Sequence, residues 1–408
     1  MHARISRAAF AALLLLPTSV RAQSLSLTEA DALARLSMES LRVRAIRSSE
    51  GLARADVLAA GRWPNPRVIV DREAVAGTTE YITSVGQLLP VNGQRGFQIR
   101  AASAQADASA SRADEEVRRV RADLRVAFAQ LVAAQIRERE LTAARDRLRE
   151  LADILTKREA AGDAAGFDRL RAEREVLDLD TDRAVAATDR ARAQATLAGF
   201  FVDPIDPSRL VAAAAAPSPV ALPDIEALVT RAESTRGELR ALRQEVESAR
   251  WSARAADRRR IPDPEIVAGT KSSSIGAGDV GSVLMAQAVI PLFDRGRAER
   301  ALADARAAQA EARAAAFMTT VRTEIVALRT IVIDRRETAA RYRAAAVNSA
   351  AQIERIAQVS YDAGERGILE LLDAYRTGST ARVRQAALDA AVRQAEIELE
   401  YVSGWEIP

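Results

Sequence analysis

The chain predicts a mainly α fold with a small β part, written as two copies of one plan. Three observations predict it. The 408 residues are 48% hydrophobic but only 4% aromatic, which suits long helices whose backbones approach closely rather than a bulky globular core. Proline, which interrupts a long helix, is absent between Pro90 and Pro204 and again between Pro291 and Pro408. Landmarks also recur about 200 residues apart: Ala32-Leu33 as Ala227-Leu228, Pro64-Asn65-Pro66 as Pro262-Asp263-Pro264, Pro90 as Pro291, and Ala161-Gly162-Asp163 as Ala363-Gly364-Glu365.

Residues 1–22 carry Arg4 and Arg7, an apolar run from Ala8 to Leu16, a break at Pro17 and small residues around Arg21. This is the pattern of a secretory signal peptide cleaved after Ala22. The segment holds three arginines and no acid, so its removal cancels the formal net charge of +3. A neutral mature chain argues against a general nucleic-acid binder, which needs a basic excess to meet phosphate. The sequence contains no cysteine, so neither a disulfide nor a lipidated cysteine is available to an exported protein. No later apolar run is long enough for a membrane-spanning helix, so a membrane role would use strands.

Each copy then divides in the same way. The first repeat occupies 23–200, with a medium helix, a β-hairpin at about 66–90 and a helical hairpin at about 93–200; the second occupies 223–408, with a β-hairpin at about 264–291 and a helical hairpin at about 294–403; 201–222 is the linker. The Pro-flanked segments are the only parts whose pattern is not helical. Arg67-Val68-Ile69-Val70 and Tyr81-Ile82-Thr83-Ser84-Val85 flank Gly77, and Glu265-Ile266-Val267-Ala268 and Ser282-Val283-Leu284-Met285 flank Gly276 and Gly278. Two hairpins give four strands, each long enough to cross a bilayer at a tilt, although alternation along each strand is poor and strand pattern alone favours a soluble hairpin on a helical body. Val117, Leu124 and Leu131, then Leu141, Leu148 and Leu155, repeat every seven residues with one slip, the pattern of coiled-coil packing. Gly162 and Gly166 end the first long stretch and Gly364 and Gly367 the second, so each helical hairpin carries a glycine-bearing tip.

The only histidine is His2, inside the signal segment. A mature chain lacking both His and Cys has lost the residue types that most acid-base, thiol and soft-metal chemistry uses. Lys157 and Lys271, its only lysines, lie in no catalytic motif. The expectation is therefore no enzyme, no catalytic residues, no cofactor and no metal site, with Met38 and Met285 as packing residues.

The ordered set of motifs resembles the TolC-like outer-membrane efflux factor family. It comprises the duplicated plan, Asn65-Pro66 before the first strand, Pro291-Leu292-Phe293-Asp294 with Gly296-Arg297 after the last, and Tyr361-x-x-Gly364 with Leu371-Leu372-Asp373-Ala374 at the second tip. Gln87-Leu88-Leu89-Pro90 with Gly93-Gln94-Arg95 is similar to the heavy-metal branch served by RND pumps, with Gln94 where that branch has Lys. The resemblance implies a homotrimer whose four strands per chain complete a twelve-stranded transmembrane β-barrel on an α-helical periplasmic tunnel. It implies an exit duct of a tripartite efflux system in the outer membrane, passing small molecules or metal ions from an inner-membrane pump through a periplasmic adaptor, the membrane fusion protein.

The resemblance also implies site residues. Asp168, Tyr361, Arg366, Glu370 and Asp373 match the family's closing network, in which the first acid ties to the tyrosine and arginine while the last two ring the narrowest point. Gly162 and Phe167 on the first tip, and Gly364 and Leu369 on the second, match the region that meets the adaptor, with Ala165 and Gly367 where a small hydroxyl residue is often found. Two rivals share much of the pattern: a periplasmic coiled-coil scaffold or adaptor, and an exit duct for type I protein secretion. The tandem repeat with two separate Pro-flanked hairpins argues against the scaffold, and cargo is set mainly by the inner-membrane partner.

Overall fold

The computed structural model describes residues 24–36, 40–161, 166–202, 205–214, 220–275 and 279–406. The signal segment, Met38, Gly162, Ala165, Gly276 and Gly278 lie outside them. The first repeat runs β1 (Leu25–Leu27), α1 (Glu29–Arg35), α2 (Leu41–Ala60), β2 (Arg67–Val75), β3 (Thr78–Leu88), α3 (Gln94–Ala160) and α4 (Gly166–Ala198). After the linker strand β4 (Leu210–Ala212) the second repeat follows as α5 (Ile225–Thr235), α6 (Gly237–Arg258), β5 (Pro264–Ser273), β6 (Val280–Ala288), α7 (Arg297–Tyr342), a π-helical turn (Arg343–Val347), α8 (Asn348–Asp362) and α9 (Ile368–Ser403).

The four long strands form one antiparallel sheet in the order β2-β3-β5-β6. Each strand continues into a helix, and the four helices pack side by side in the same order, α2 on α3, α3 on α6 and α6 on α7. Sheet and helices are thus one curved wall. Alanine and serine let the helices approach: Ala101, Ala108, Ala113 and Ser111 on α3 are buried, as are Ala249, Ala255 and Ala256 on α6 and Ala303 and Ala310 on α7. At 67 residues, α3 spans about 100 Å.

Farther from the sheet the helices pair as hairpins around larger residues. The heptad leucines Leu124, Leu131, Leu148 and Leu155 are fully buried. One cluster joins Leu124, Leu131 and Phe128 of α3 to Leu197 of α4, Val43 of α2 and Leu210 of β4. Its counterpart joins Leu228 and Ala232 of α5 to Val321, Ile325 and Val332 of α7 and Leu399 of α9. A third closes the end remote from the sheet, with Leu148, Leu151 and Leu155 of α3, Ala172 and Val176 of α4, Ala357 of α8 and Ile368, Leu371 and Leu372 of α9. Ion pairs sew the repeats together: Arg125 of α3 reaches Glu29 and Glu400, and Arg393 of α9 reaches Glu29 at 2.9 Å. Burial works against the Arg125 charge, but Glu400 and Glu29 hold its guanidinium above the usual arginine range.

Three expectations need correction. The Pro-flanked hairpins are not the only strands, because β1 pairs in parallel with β4, Leu25 opposite Leu210, and Gln135 extends that edge by bonding both the N–H and the carbonyl of Ala212. The medium helix of each repeat is two helices. In the second repeat the break is at Arg236, whose backbone is extended (φ −69°, ψ 118°). Its guanidinium pairs with Glu115 at 2.7 Å and donates to the Val402 carbonyl, while Gly237 N–H donates to Glu115 at 2.8 Å. A buried ion pair thus takes the place of a helical turn. The last correction is the π turn, which interrupts the long helix of the second hairpin but has no counterpart in α3.

Candidate channel wall and gate

Register sorts the sheet into two unlike faces, because residues opposite one another on paired strands point to the same side. Val68, Val85, Ala268 and Leu284 form one row. The rows beside it on the same face are Val70, Thr83, Thr270 and Ser282, then Arg72, Tyr81, Ser272 and Val280, with Gln87, Ile266 and Ala286 on the other side. That face is exposed, Val68 to 71% and Leu284 to 81%, and Arg72 is its one charged residue among the paired positions. The opposite face carries Arg67, Asp71, Glu73, Glu80, Glu265 and Lys271. Arg67 forks onto Glu265, which also accepts from Gln287 at 2.8 Å, and Lys271 sits 2.5 Å from Glu80. Met285, expected to pack, instead stands half-exposed on this polar face.

An apolar face on one side and a charged, self-paired face on the other is the arrangement of a barrel wall between lipid and an aqueous lumen. Among the described residues both edges of the sheet are unpaired, since β2 bonds only β3 and β6 only β5. Among the described residues no helix is long and apolar enough to cross a membrane.

At the remote end the two hairpins meet. Ile368, Leu371, Leu372 and Ala374 of α9 are buried in the terminal cluster. Glu370 and Asp373, three residues apart on the helix, therefore share the exposed face. Asp168 lies in the first turn of α4 and Tyr361 in the last turn of α8, where it packs against the cluster; Arg366 is exposed in the connecting turn. All five expected gate residues thus occupy one end of the molecule. Among the described residues, no hydrogen bond or ion pair within the chain joins Asp168 to Tyr361 or Arg366. Asp373 also lines a cleft of about 420 Å³ between α9 and the π turn, with Tyr342, Ser349, Ile353, Arg376 and Thr380. At the tips, Phe167 and Leu369 are exposed, 65% and 45%. Gly364 holds φ at +74° with open space where a Cβ would stand.

Glu354 carries no signal in the sequence. This α8 carboxylate accepts from Arg147 of α3 at 3.4 Å and from Arg382 of α9 at 3.0 Å. Arg382 also reaches Glu140 at 2.8 Å. Burial works against the Arg382 charge, yet Glu354 and Glu140 hold it above the arginine range. Gly378 of α9 makes room, since a Cβ there would overlap the Glu354 carboxylate. Beside this clasp Tyr375 donates to Gln358 and stacks under Arg147; burial pushes its phenol up. Arg147 and Glu140 of α3 lie more than 200 residues from Glu354 and Arg382, so no local pattern announces the clasp.

A partial barrel sheet that continues into a wall of helices defines an outer-membrane channel fold. Residues 228–404 match the family model described as outer membrane efflux protein. No curated protein matches the chain by sequence. Solved structures share the fold over nearly the whole chain. The outer membrane protein VceC from Vibrio cholerae is 17% identical, covering 92% of this chain and 96% of its own, with a TM-score of 0.69. The CmeC outer membrane channel of Campylobacter jejuni is 13% identical, with coverages of 99% and 94% and a TM-score of 0.73. The MtrE outer membrane channel of Neisseria gonorrhoeae, solved in its open state, is 17% identical, with coverages of 92% and 88% and a TM-score of 0.70.

Proposed function

We propose that three copies of the chain form an outer-membrane exit duct for a tripartite efflux system. The observation that carries this is the pair of free edges, β2 and β6, on a sheet with one apolar face. An unpaired edge cannot face lipid, and four strands are too few to close a membrane barrel. Joining β2 of one copy to β6 of the next closes both edges, and three copies supply twelve strands. The helices, already in strand order, close with them into a tunnel whose length of about 100 Å suits a periplasmic conduit between the outer membrane and an inner-membrane pump of RND type.

In that assembly the remote end is the periplasmic mouth. Arg366 and Tyr361 of one hairpin hold Asp168 of a neighbour by charge-assisted bonds, and three copies of Glu370 and Asp373 make a cation-attracting ring. The exposed Phe167 and Leu369, with Gly162 and Gly364, form two equivalent contacts for a periplasmic adaptor. Cell fractionation tests the whole reading: a heat-modifiable trimer in the outer membrane supports it, and a soluble periplasmic protein supports the scaffold instead.

A further inference from the structure

Just beneath the sheet, Phe97 of α3 and Trp251 of α6 stack with centroids 5.8 Å apart and an interplanar angle of 20°. Three guanidiniums crowd this pair. Arg100 lies 4.9 Å from the Trp251 ring centre, Arg254 4.3 Å from the same ring, and Arg258 5.5 Å from Phe97. All three are exposed. None of the three reaches a carboxylate among the described residues, whereas the neighbouring Arg259 pairs with Asp294 and Arg300 with Asp257. Like charges held together without an acid call for an anion from outside.

The cluster looks outward. A cleft at the foot of the sheet is lined by Asn65, Leu88 and Asp263 together with Arg95 and Gln98. Leu88 belongs to the polar face of the sheet, since it alternates with Gly86 and Ser84. Arg95 donates to the Gly61 carbonyl at the end of α2 at 2.9 Å, so Gln98, two residues before Arg100, marks the side of α3 that faces this cleft. At about 100° per residue, Arg100 falls on the opposite side, continuous with the apolar face above. Phe97 turns toward α6, where Trp251, Arg254 and Arg258 form one stripe at i, i+3 and i+7. The α3–α6 groove is the middle of the four-helix layer, away from the edges that a neighbouring copy covers. Phe97 is one turn from the start of α3 and Trp251 two turns from the end of α6, with five further residues between each helix and its strand, so the stacked rings lie a little over about 10 Å below the sheet, while Arg254 and Arg258 stand nearer to it, toward the headgroup layer.

We infer that the Phe97–Trp251 stack with Arg100, Arg254 and Arg258 is an outward-facing binding site for the phosphodiester headgroup of an anionic phospholipid, in the leaflet nearest the helices. The guanidinium forks suit phosphate oxygens, and the stacked rings supply an amphipathic surface for the glycerol and upper acyl carbons. The inference rests on the apolar sheet face being the lipid face. Native mass spectrometry of the detergent-purified full chain tests it, with phosphatidylglycerol, phosphatidylcholine and inorganic phosphate as probes. The expected result is retention of phosphatidylglycerol over phosphatidylcholine by about tenfold. That preference disappears in the Arg100→Gln/Arg254→Gln/Arg258→Gln variant, survives in the corresponding Lys variant, and is unaffected by equimolar inorganic phosphate. Equal retention of the two lipids, an unaltered preference in the Gln variant, or displacement by inorganic phosphate overturns the site. Should the triple variant not assemble, Arg254→Gln alone is expected to lose about threefold, and no loss overturns it equally. Fractionation as a soluble protein would defeat the barrel reading by a separate measurement.

Discussion

Gly93 and Gly296 hold the same left-handed backbone conformation, φ 78° and 76°, at the residue that opens α3 and α7. The two repeats thus turn from strand to helix through one shared geometry. Their surroundings differ: a Cβ at Gly93 meets nothing within 4 Å, whereas one at Gly296 would stand 2.2 Å from the Ala256 carbonyl oxygen. Gly93→Ala should cost only the left-handed strain of about 1–2 kcal/mol. Gly296→Ala should cost clearly more because α6 must also move. Thermal unfolding of the purified protein, followed by circular dichroism, orders the two variants; equal losses would contradict the contact.

The Glu354 clasp ties α8 to both α3 and α9. Glu354→Gln leaves Arg147 and Arg382 without their common acid, a loss of about 1–3 kcal/mol for partly buried charged partners. Hydrogen exchange should quicken across α8 and the first half of α9 and stay unchanged in α6. Uniform exchange with the wild type would mean the clasp holds nothing.

For the proposed gate, Asp168→Ala with Arg366→Ser should raise single-channel conductance in planar bilayers. Glu370→Gln with Asp373→Asn should lower cation preference instead. If an assembled trimer shows neither change, the assignment of these residues is wrong.

Tyr375 and Tyr401 make alkaline pH informative. Burial pushes both phenols above their ordinary value of 10.0. A group whose folded pKa is raised stabilises the fold below its unfolded value and loses that contribution as pH climbs through the folded one. Stability should therefore hold up to about pH 10 and fall beyond it. In an absorbance titration of phenolate, the latest-ionising fraction should vanish in the Tyr375→Phe/Tyr401→Phe double variant.

Some of this architecture is legible in one dimension. Proline-free stretches with leucine every seven residues describe α3 because burial at Leu124, Leu131, Leu148 and Leu155 follows that period. The membrane face is not legible along a strand. Thr83, Thr270 and Ser282 dilute the lipid side while Ile69, Val267 and Val283 sit on the polar side, so the contrast emerges only when four strands are laid in register. The three-residue pairing of β1 with β4 and the helix break at Arg236 depend on partners far away in the chain, which no local period encodes.

The π turn at Arg343–Val347 makes the two hairpins mechanically unequal. In the first, α3 runs as an unbroken rod from the sheet to the tip. In the second, one wide turn interrupts the rod after the 46 residues of α7, with the 15 residues of α8 still to come before the tip. Bending stress applied at the remote end concentrates at that joint in the second arm, while the first arm transmits it whole. In the proposed threefold assembly, three stiff struts alternate with three jointed ones, so bending at the remote end is taken up by the second hairpins and not by the upper wall.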